Sequence, residues 1–277
     1  LALTMVFIAL CIVSGFSAFD AVNLTFAGIS NGGFFPFDSY DMTALQKTLL
    51  AFMMLAGATS VLFFRSIWKR HVDKAISDEE FLLYAGITAL AVILAAFFGN
   101  EGGFNFFLNA AAAIAGGGFG IGNLQVMHAF GIYILIILML SGRMTGSTTG
   151  AIKLWRVLVI IKALWRQVKE TFLPSGTVQI VKINYLPISE RMIVESAIFV
   201  FAYLFVFLAA SGAFLAANYG TEDSLFLVAT AMGNVGLSTV SIPAVGAAGK
   251  TLLIILMYVG RIEIFPVLAL LAFIVRR

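Results

Sequence analysis

Apolar residues fill this chain in long runs, broken at a few polar points, and the runs fall into two lengths. Long ones cover residues 1 to about 15, Met42 to Trp68, Ser77 to Phe98, Val126 to Leu140, Ser189 to Asn218 and Lys250 to Arg277. Most of these are long enough for membrane-spanning helices. Between them lie shorter helical stretches that open at Asp20, Asn105 and Asp223. A stretch such as Asp20 to Ile29 is only about 15 Å long as a helix and reaches about half a bilayer deep. The pattern therefore predicts three copies of helix, re-entrant half-helix with loop, helix. Within that pattern Ser77 is expected to cap its helix, with Glu80 three residues on as in a capping box.

The short stretches are related to one another. With Gly33, Gly118 and Gly236 in register, the lines read DAVNLTFAGISNGGFF, NFFLNAAAAIAGGGFG and DSLFLVATAMGNVGLS. Thirteen positions before the glycine stand Asp20, Asn105 and Asp223, each suited to a helix N-cap. Small residues lie five and six before it, and Phe34, Phe119 or Leu237 follows it. Twenty-four positions after it come Gly57, Gly142 and Gly260, each closing an M-x-x-G tetrad. So many shared offsets in three copies mark an internal repeat. The expected units are residues 1–75, 76–187 and 188–277. The first begins in mid-helix, so a fourth, more N-terminal unit is expected.

Composition agrees with this reading. The chain has 277 residues, is 61% hydrophobic and 11% charged, and has a mean hydropathy of +1.03. These values exclude a soluble globular domain and give an all-α polytopic membrane protein of repeated helix–pore-loop–helix units. Cys11, the single cysteine, supports neither a disulfide framework nor a metal site. Thirteen of the seventeen Lys and Arg fall in Arg65–Lys74, Lys153–Arg191 and the C-terminal pair, which places those segments in the cytoplasm. As flanks of spanning helices they read as orientation signals and lipid head-group contacts rather than nucleic-acid sites. The glycine loops then enter from outside and return there, with Asp20, Asp38, Asp41, Glu101, Glu222 and Asp223 around them.

A half-helix entering from outside aims its partially negative C-terminal end at the membrane centre, where it favours a cation. Glycine lets the following backbone approach an axis, and its carbonyls can replace an ion's hydration shell. Further on, SGRMTGSTTGAIK interrupts an apolar run at mid-membrane with Gly142, Gly146 and Gly150 among hydroxyl residues. A break is expected there rather than a GxxxG packing face. Arg143 and Arg261 each follow an M-x-x-G tetrad. An arginine at membrane depth is costly, so one of them is expected to set a barrier below the loops. The alternative is a structural tie to backbone carbonyls or to Glu263.

These residues resemble the Trk/Ktr/HKT superfamily of potassium uptake proteins. SNGGF, GGGFG and GNVGLS look like its second, third and fourth filters, MTGSTTGAIK like its broken helix, and MYVGRIEIFPVLALL like its closing helix. The resemblance implies potassium at the carbonyls of Asn31, Gly32, Gly33, Gly116, Gly117, Gly118, Asn234, Val235 and Gly236. It implies a gating loop comprising Gly142, Arg143, Gly146, Ser147, Thr148, Thr149, Gly150 and Lys153, with Arg261 and Glu263 in the closing helix. It further implies a plasma-membrane homodimer regulated by a cytosolic nucleotide-binding ring of the RCK type, with no cofactor in this chain. Ala115, Gly116 and Arg143 depart from the usual pattern. A sodium-conducting relative is the alternative within the class. An intramembrane enzyme would need a nucleophile with a base, or paired carboxylates, and no such set is apparent; a purely structural subunit would not need three axial loops.

Overall fold

The structure, a computed structural model, describes residues 1–35, 42–98, 103–120, 124, 128–147, 150–174 and 179–262. Helices α1 (Ala2–Val13), α2 (Ala18–Ile29) and α3 (Ala44–Ala58) form the first unit, continued by α4 (Val61–Trp68) and α5 (Val72–Ile76). The second holds α6 (Glu79–Phe98), α7 (Gly103–Ala115) and α8 (Ala129–Ser141), followed by α9 (Leu154–Glu170) and a small hairpin, β1 (Lys182–Ile183) with β2 (Leu186–Pro187). The third holds α10 (Glu190–Ala216), α11 (Thr221–Gly233) and α12 (Ala247–Ile262).

The short helices α2, α7 and α11 are the cores of the units. Each packs between the two long helices of its own unit, and α7 and α11 also pack on the return helix of the unit before, α3 and α8. Small side chains permit this: Ala110 to Ala113 and Ala115 of α7, and Ala229 and Ala231 of α11, are buried. The longest helix, α10, spans 27 residues, about 40 Å at the usual rise. It exposes Val194, Ile198, Phe201, Phe205 and Leu208 along one stripe. Such a surface belongs in hydrocarbon rather than water.

Three expectations are corrected. The repeated polar residue is the third residue of its helix, not the N-cap. Ser17 caps α2, accepting from Asp20 N at 3.1 Å and donating to the Asp20 carboxylate at 2.7 Å; Gly220 precedes α11. An acid three residues past the cap still meets the positive helix end, which is why the spacing misled. Similarly Asp78, not Ser77, caps α6, accepting from Glu80 N at 2.8 Å and Phe81 N at 3.2 Å. The run from Met42 to Trp68 is not one continuous helix: α3 and α4 meet at 94°. Thr59 turns its hydroxyl back to Leu55 O and Ser60 caps α4, so adjacent hydroxyl residues supply both stop and start. The linker between α9 and α10 also carries order. Asn184 and Tyr185, with φ of 50° and 65°, make a two-residue turn of type I′ between β1 and β2. Val181, Ile183 and Ile188 pack there on Leu158 and Val159 of α9.

Candidate functional site

The three repeated loops share one backbone design. Each short helix ends in a Schellman-type turn, in which a left-handed residue lets the chain reverse while satisfying terminal carbonyls. The left-handed residues are Asn31 (φ 53°), Gly116 (φ 73°) and Asn234 (φ 52°), all two before the shared glycine. The next residue donates five back: Gly32 N to Ala27 O at 2.8 Å, Gly117 N to Ala112 O at 3.1 Å, Val235 N to Thr230 O at 2.9 Å. The small-residue step in the repeat is therefore where these bonds land. The shared glycine itself again has positive φ, 69° at Gly33, 66° at Gly118 and 95° at Gly236. In the third loop the Thr230 hydroxyl also accepts from Gly236 N at 3.0 Å.

These glycines meet. A methyl group on Gly33 would lie 2.6 Å from Gly117 O and 2.9 Å from Gly118 Cα. One on Gly118 would lie 2.6 Å from Val235 O and 3.8 Å from Gly236 Cα. Only glycine allows three backbones to approach so closely, and carbonyl-bearing backbone is what the approach brings together. Two of the three residues that follow the shared glycine pack on the unit before. Phe119 is buried against Gly28 and in edge contact with Phe35, their centroids 4.9 Å apart. Leu237 is buried against Gly120, whereas Phe34 is 79% exposed.

The M-x-x-G tetrads explain themselves at the same place. Gly57 and Gly260 lie directly on the carbonyls of Ile29 and Met232, four residues before the shared glycine in each case, leaving no space for a Cβ. The tetrad methionines serve through their backbones. Asn234 Nδ2 donates to Met257 O at 3.2 Å. Asn31, with its amide turned to satisfy both neighbours, donates to Met54 O at 3.1 Å and accepts from Ala58 N at 3.1 Å. In two units, then, an asparagine arm ties the loop to the return helix.

In the second unit Gly116 has no arm, and Arg143 takes its place. After Gly142 (φ 88°) the chain leaves α8 and the Arg143 side chain turns into the space that an asparagine at 116 would need. It is 0% exposed. Its guanidinium donates to Gly233 O at 2.6 Å, Ile114 O at 3.1 Å, Gly150 O at 3.3 Å and Ala113 O at 3.5 Å. Two helix C-termini, those of α7 and α11, thus converge on one cation, which is where a positive charge is favoured. Of the two readings open in the sequence, Arg143 takes the tie to backbone carbonyls. Arg261 is exposed at the end of α12, and Glu263 lies outside the described residues.

The segment after Arg143 crosses from the end of α8 to the start of α9. Gly146 (φ 83°) is exposed and Ser147 half-buried, while Thr148 and Thr149 lie outside the described residues. A methyl on Gly150 would lie 2.7 Å from Gly260 O and 3.1 Å from Asn234 Nδ2, so the segment also rests on α12 and the third loop. Lys153 (φ 70°) brings the chain back to Gly142, and Leu154 N donates to Arg143 O at 2.9 Å. Sequence reasoning missed three features here: the amide arms of Asn31 and Asn234, the coupling of Gly116 to Arg143, and the buried carboxylate of Glu80. The first had a legible signal, Asn, Gly and Asn at one offset.

On comparison with known proteins, the profile of the family described as TrkH, cation transport protein, matches residues 101–276. An uncharacterized cation transporter of Methanocaldococcus jannaschii is 30% identical over 279 residues, covering 97% of this chain and 57% of that protein. The Trk system potassium uptake protein TrkH of Escherichia coli K12 is 25% identical, covering 93% of this chain and 56% of its own length. The chain thus spans just over half the length of these relatives. The crystal structure of the potassium transporter TrkH from Vibrio parahaemolyticus superposes with a TM-score of 0.86 at 23% identity, covering 98% of this chain and 62% of that one, which establishes a shared fold.

Proposed function

The chain belongs to the TrkH family of cation transport proteins, and from that premise we propose that it forms most of a pore for potassium uptake. The observation that carries this reading is the meeting of Gly33, Gly118 and Gly236, each with positive φ after the same helix-ending turn. In this reading the carbonyls of residues 31–33, 116–118 and 234–236 take over the ion's hydration shell. The units 1–75, 76–187 and 188–277 are the repeats that carry them. Arg143 neutralises the ends of α7 and α11, so the ion is held by the loop carbonyls beyond those ends.

The stretch Gly142 to Gly150 acts as the gate, with Arg261 and Glu263 of the closing stretch of sequence as its partners. The protein works in the plasma membrane among lipids, as a homodimer under a cytosolic RCK-type subunit. Potassium is its cargo. The test is flux into proteoliposomes holding the full-length protein, with K⁺, Rb⁺ and Na⁺ compared. Uptake of K⁺ and Rb⁺ well above Na⁺ is expected; uptake led by Na⁺, or none of the three, overturns the reading.

A further inference from the structure

The acidic turn Asp78–Glu79–Glu80 opens α6, and each of its carboxylates reaches a different element. Asp78 caps its own helix and accepts from Asn184 Nδ2 at 3.2 Å. Glu79 pairs with Lys162 of α9, and its N–H donates to Asn184 Oδ1 at 3.0 Å. Glu80 turns inward. It is 7% exposed, and one of its oxygens accepts from Thr145 N at 2.6 Å and from Trp155 N at 3.1 Å. Thr145 belongs to the segment crossing from α8 to α9, and Trp155 is the second residue of α9. A carboxylate is well placed at that helix N-terminus, where free N–H groups and the positive helix end lie together. Beside it opens a cavity of about 360 Å³, lined in part by Ser60, Lys74, Asp78, Glu80, Thr145 and Trp155.

We infer that Glu80 is a positioning residue for the intramembrane segment: through Oε1 it fastens that segment and the start of α9 to the cytoplasmic end of α6. This rests on the reading of residues 142–150 as the gate. The bond links two parts that no other described hydrogen bond from α6 joins. On one side is the crossing segment, whose residues 145 and 146 are exposed. On the other is the cytoplasmic layer of α9 and hairpin, where Arg166 forms a two-toothed pair with Glu190 of α10. Glu80 therefore adds a link from α6 to the one that the Leu154 N–H to Arg143 O bond makes between α9 and the segment. A segment freed from it leaves its seat more often, and conduction rises.

Two readouts test this in the full-length protein, in a Cys11→Ala background with Met144→Cys, a buried position next to Thr145, as a reporter that keeps the Thr145 backbone donor. The rate of modification of that cysteine by a membrane-impermeant thiol reagent from the cytoplasmic side follows the segment directly. Rubidium flux into proteoliposomes follows conduction. Glu80→Ala removes the acceptor and is expected to raise the modification rate at least about tenfold, with flux rising in step, as for loss of a strong hydrogen bond to a charged group. Glu80→Gln keeps an acceptor oxygen in the same shape without the charge, and is expected to fall between wild type and Glu80→Ala in both readouts. If Glu80→Ala is not recovered folded, Glu80→Gln decides. A variant that leaves the modification rate unchanged overturns the inference, whatever its flux. A raised modification rate with flux unchanged or lost keeps the positioning role and removes the gate reading it rests on.

Discussion

Arg143 and Gly116 give the sharpest quantitative expectation. Arg143→Ala leaves at least two well-bonded buried acceptors, Gly233 O and Ile114 O, without donors. Each such orphan costs about 1–3 kcal/mol, and the emptied space adds to it. The buried charge is removed as well, which offsets part of the loss. A net destabilisation of about 3 kcal/mol results. Gly116→Asn alone is worse placed, because its side chain enters the guanidinium's position, and a cost of about 3 kcal/mol or more is expected. The double variant is different. With the arginine gone, an asparagine at the left-handed position 116 can reach the carbonyl of Met139, as Asn31 reaches Met54 and Asn234 reaches Met257. The two changes should therefore compensate by about 2–3 kcal/mol relative to their sum, a coupling of the size seen between residues in contact. The assay is a double-mutant cycle on the full-length protein, unfolded by denaturant in mixed micelles. Additivity within about 0.5 kcal/mol would refute the exchange of amide for guanidinium.

Three further outcomes follow from the same geometry. Asn31→Gly and Asn234→Gly keep the left-handed backbone but lose the arm, and each should lower stability in the same unfolding assay by about 1 kcal/mol, with Asn→Ala costing about 1 kcal/mol more through its positive φ. Gly57→Ala and Gly260→Ala drive a methyl into the carbonyls of Ile29 and Met232, so size-exclusion chromatography in detergent should show little monodisperse protein. Gly212→Ala, near the C-terminal end of α10 with nothing within 4 Å, is the contrasting control and should be neutral or stabilise by up to about 1 kcal/mol.

The fold was legible because its units repeat. Three copies of a glycine at fixed distance from a small-residue step and an M-x-x-G tetrad could not be aligned without implying a common backbone, and the three loops share the same helix-ending turn. Helix starts were less legible. Asp20, Asn105 and Asp223 look like caps because capping residues and third-position acids share a composition, and only geometry separates them. The 94° break at Thr59 and Ser60 was hidden inside an apolar run, since two adjacent hydroxyl residues are tolerated in many unbroken helices. Arg143 shows a different limit. Its cost in the membrane was evident from its type, but its partners are backbone carbonyls, which carry no letter in a sequence. Glu80 was read as part of a capping box because its nearest candidate partner was three residues away. Its actual partners are 65 and 75 residues away.

The central claim is that glycine backbone at the meeting point of the three loops conducts the ion. Gly118 is the middle of the three, and a methyl there would stand 2.6 Å from Val235 O. The most direct measurement is rubidium and potassium flux into proteoliposomes for the full-length wild type and Gly118→Ala, matched for protein that elutes as a single folded species. The account predicts wild-type flux and its loss by at least about tenfold in the variant, as for a strained, crowded site worth more than 1.4 kcal/mol. A folded Gly118→Ala protein that carries either ion at the wild-type rate would contradict it.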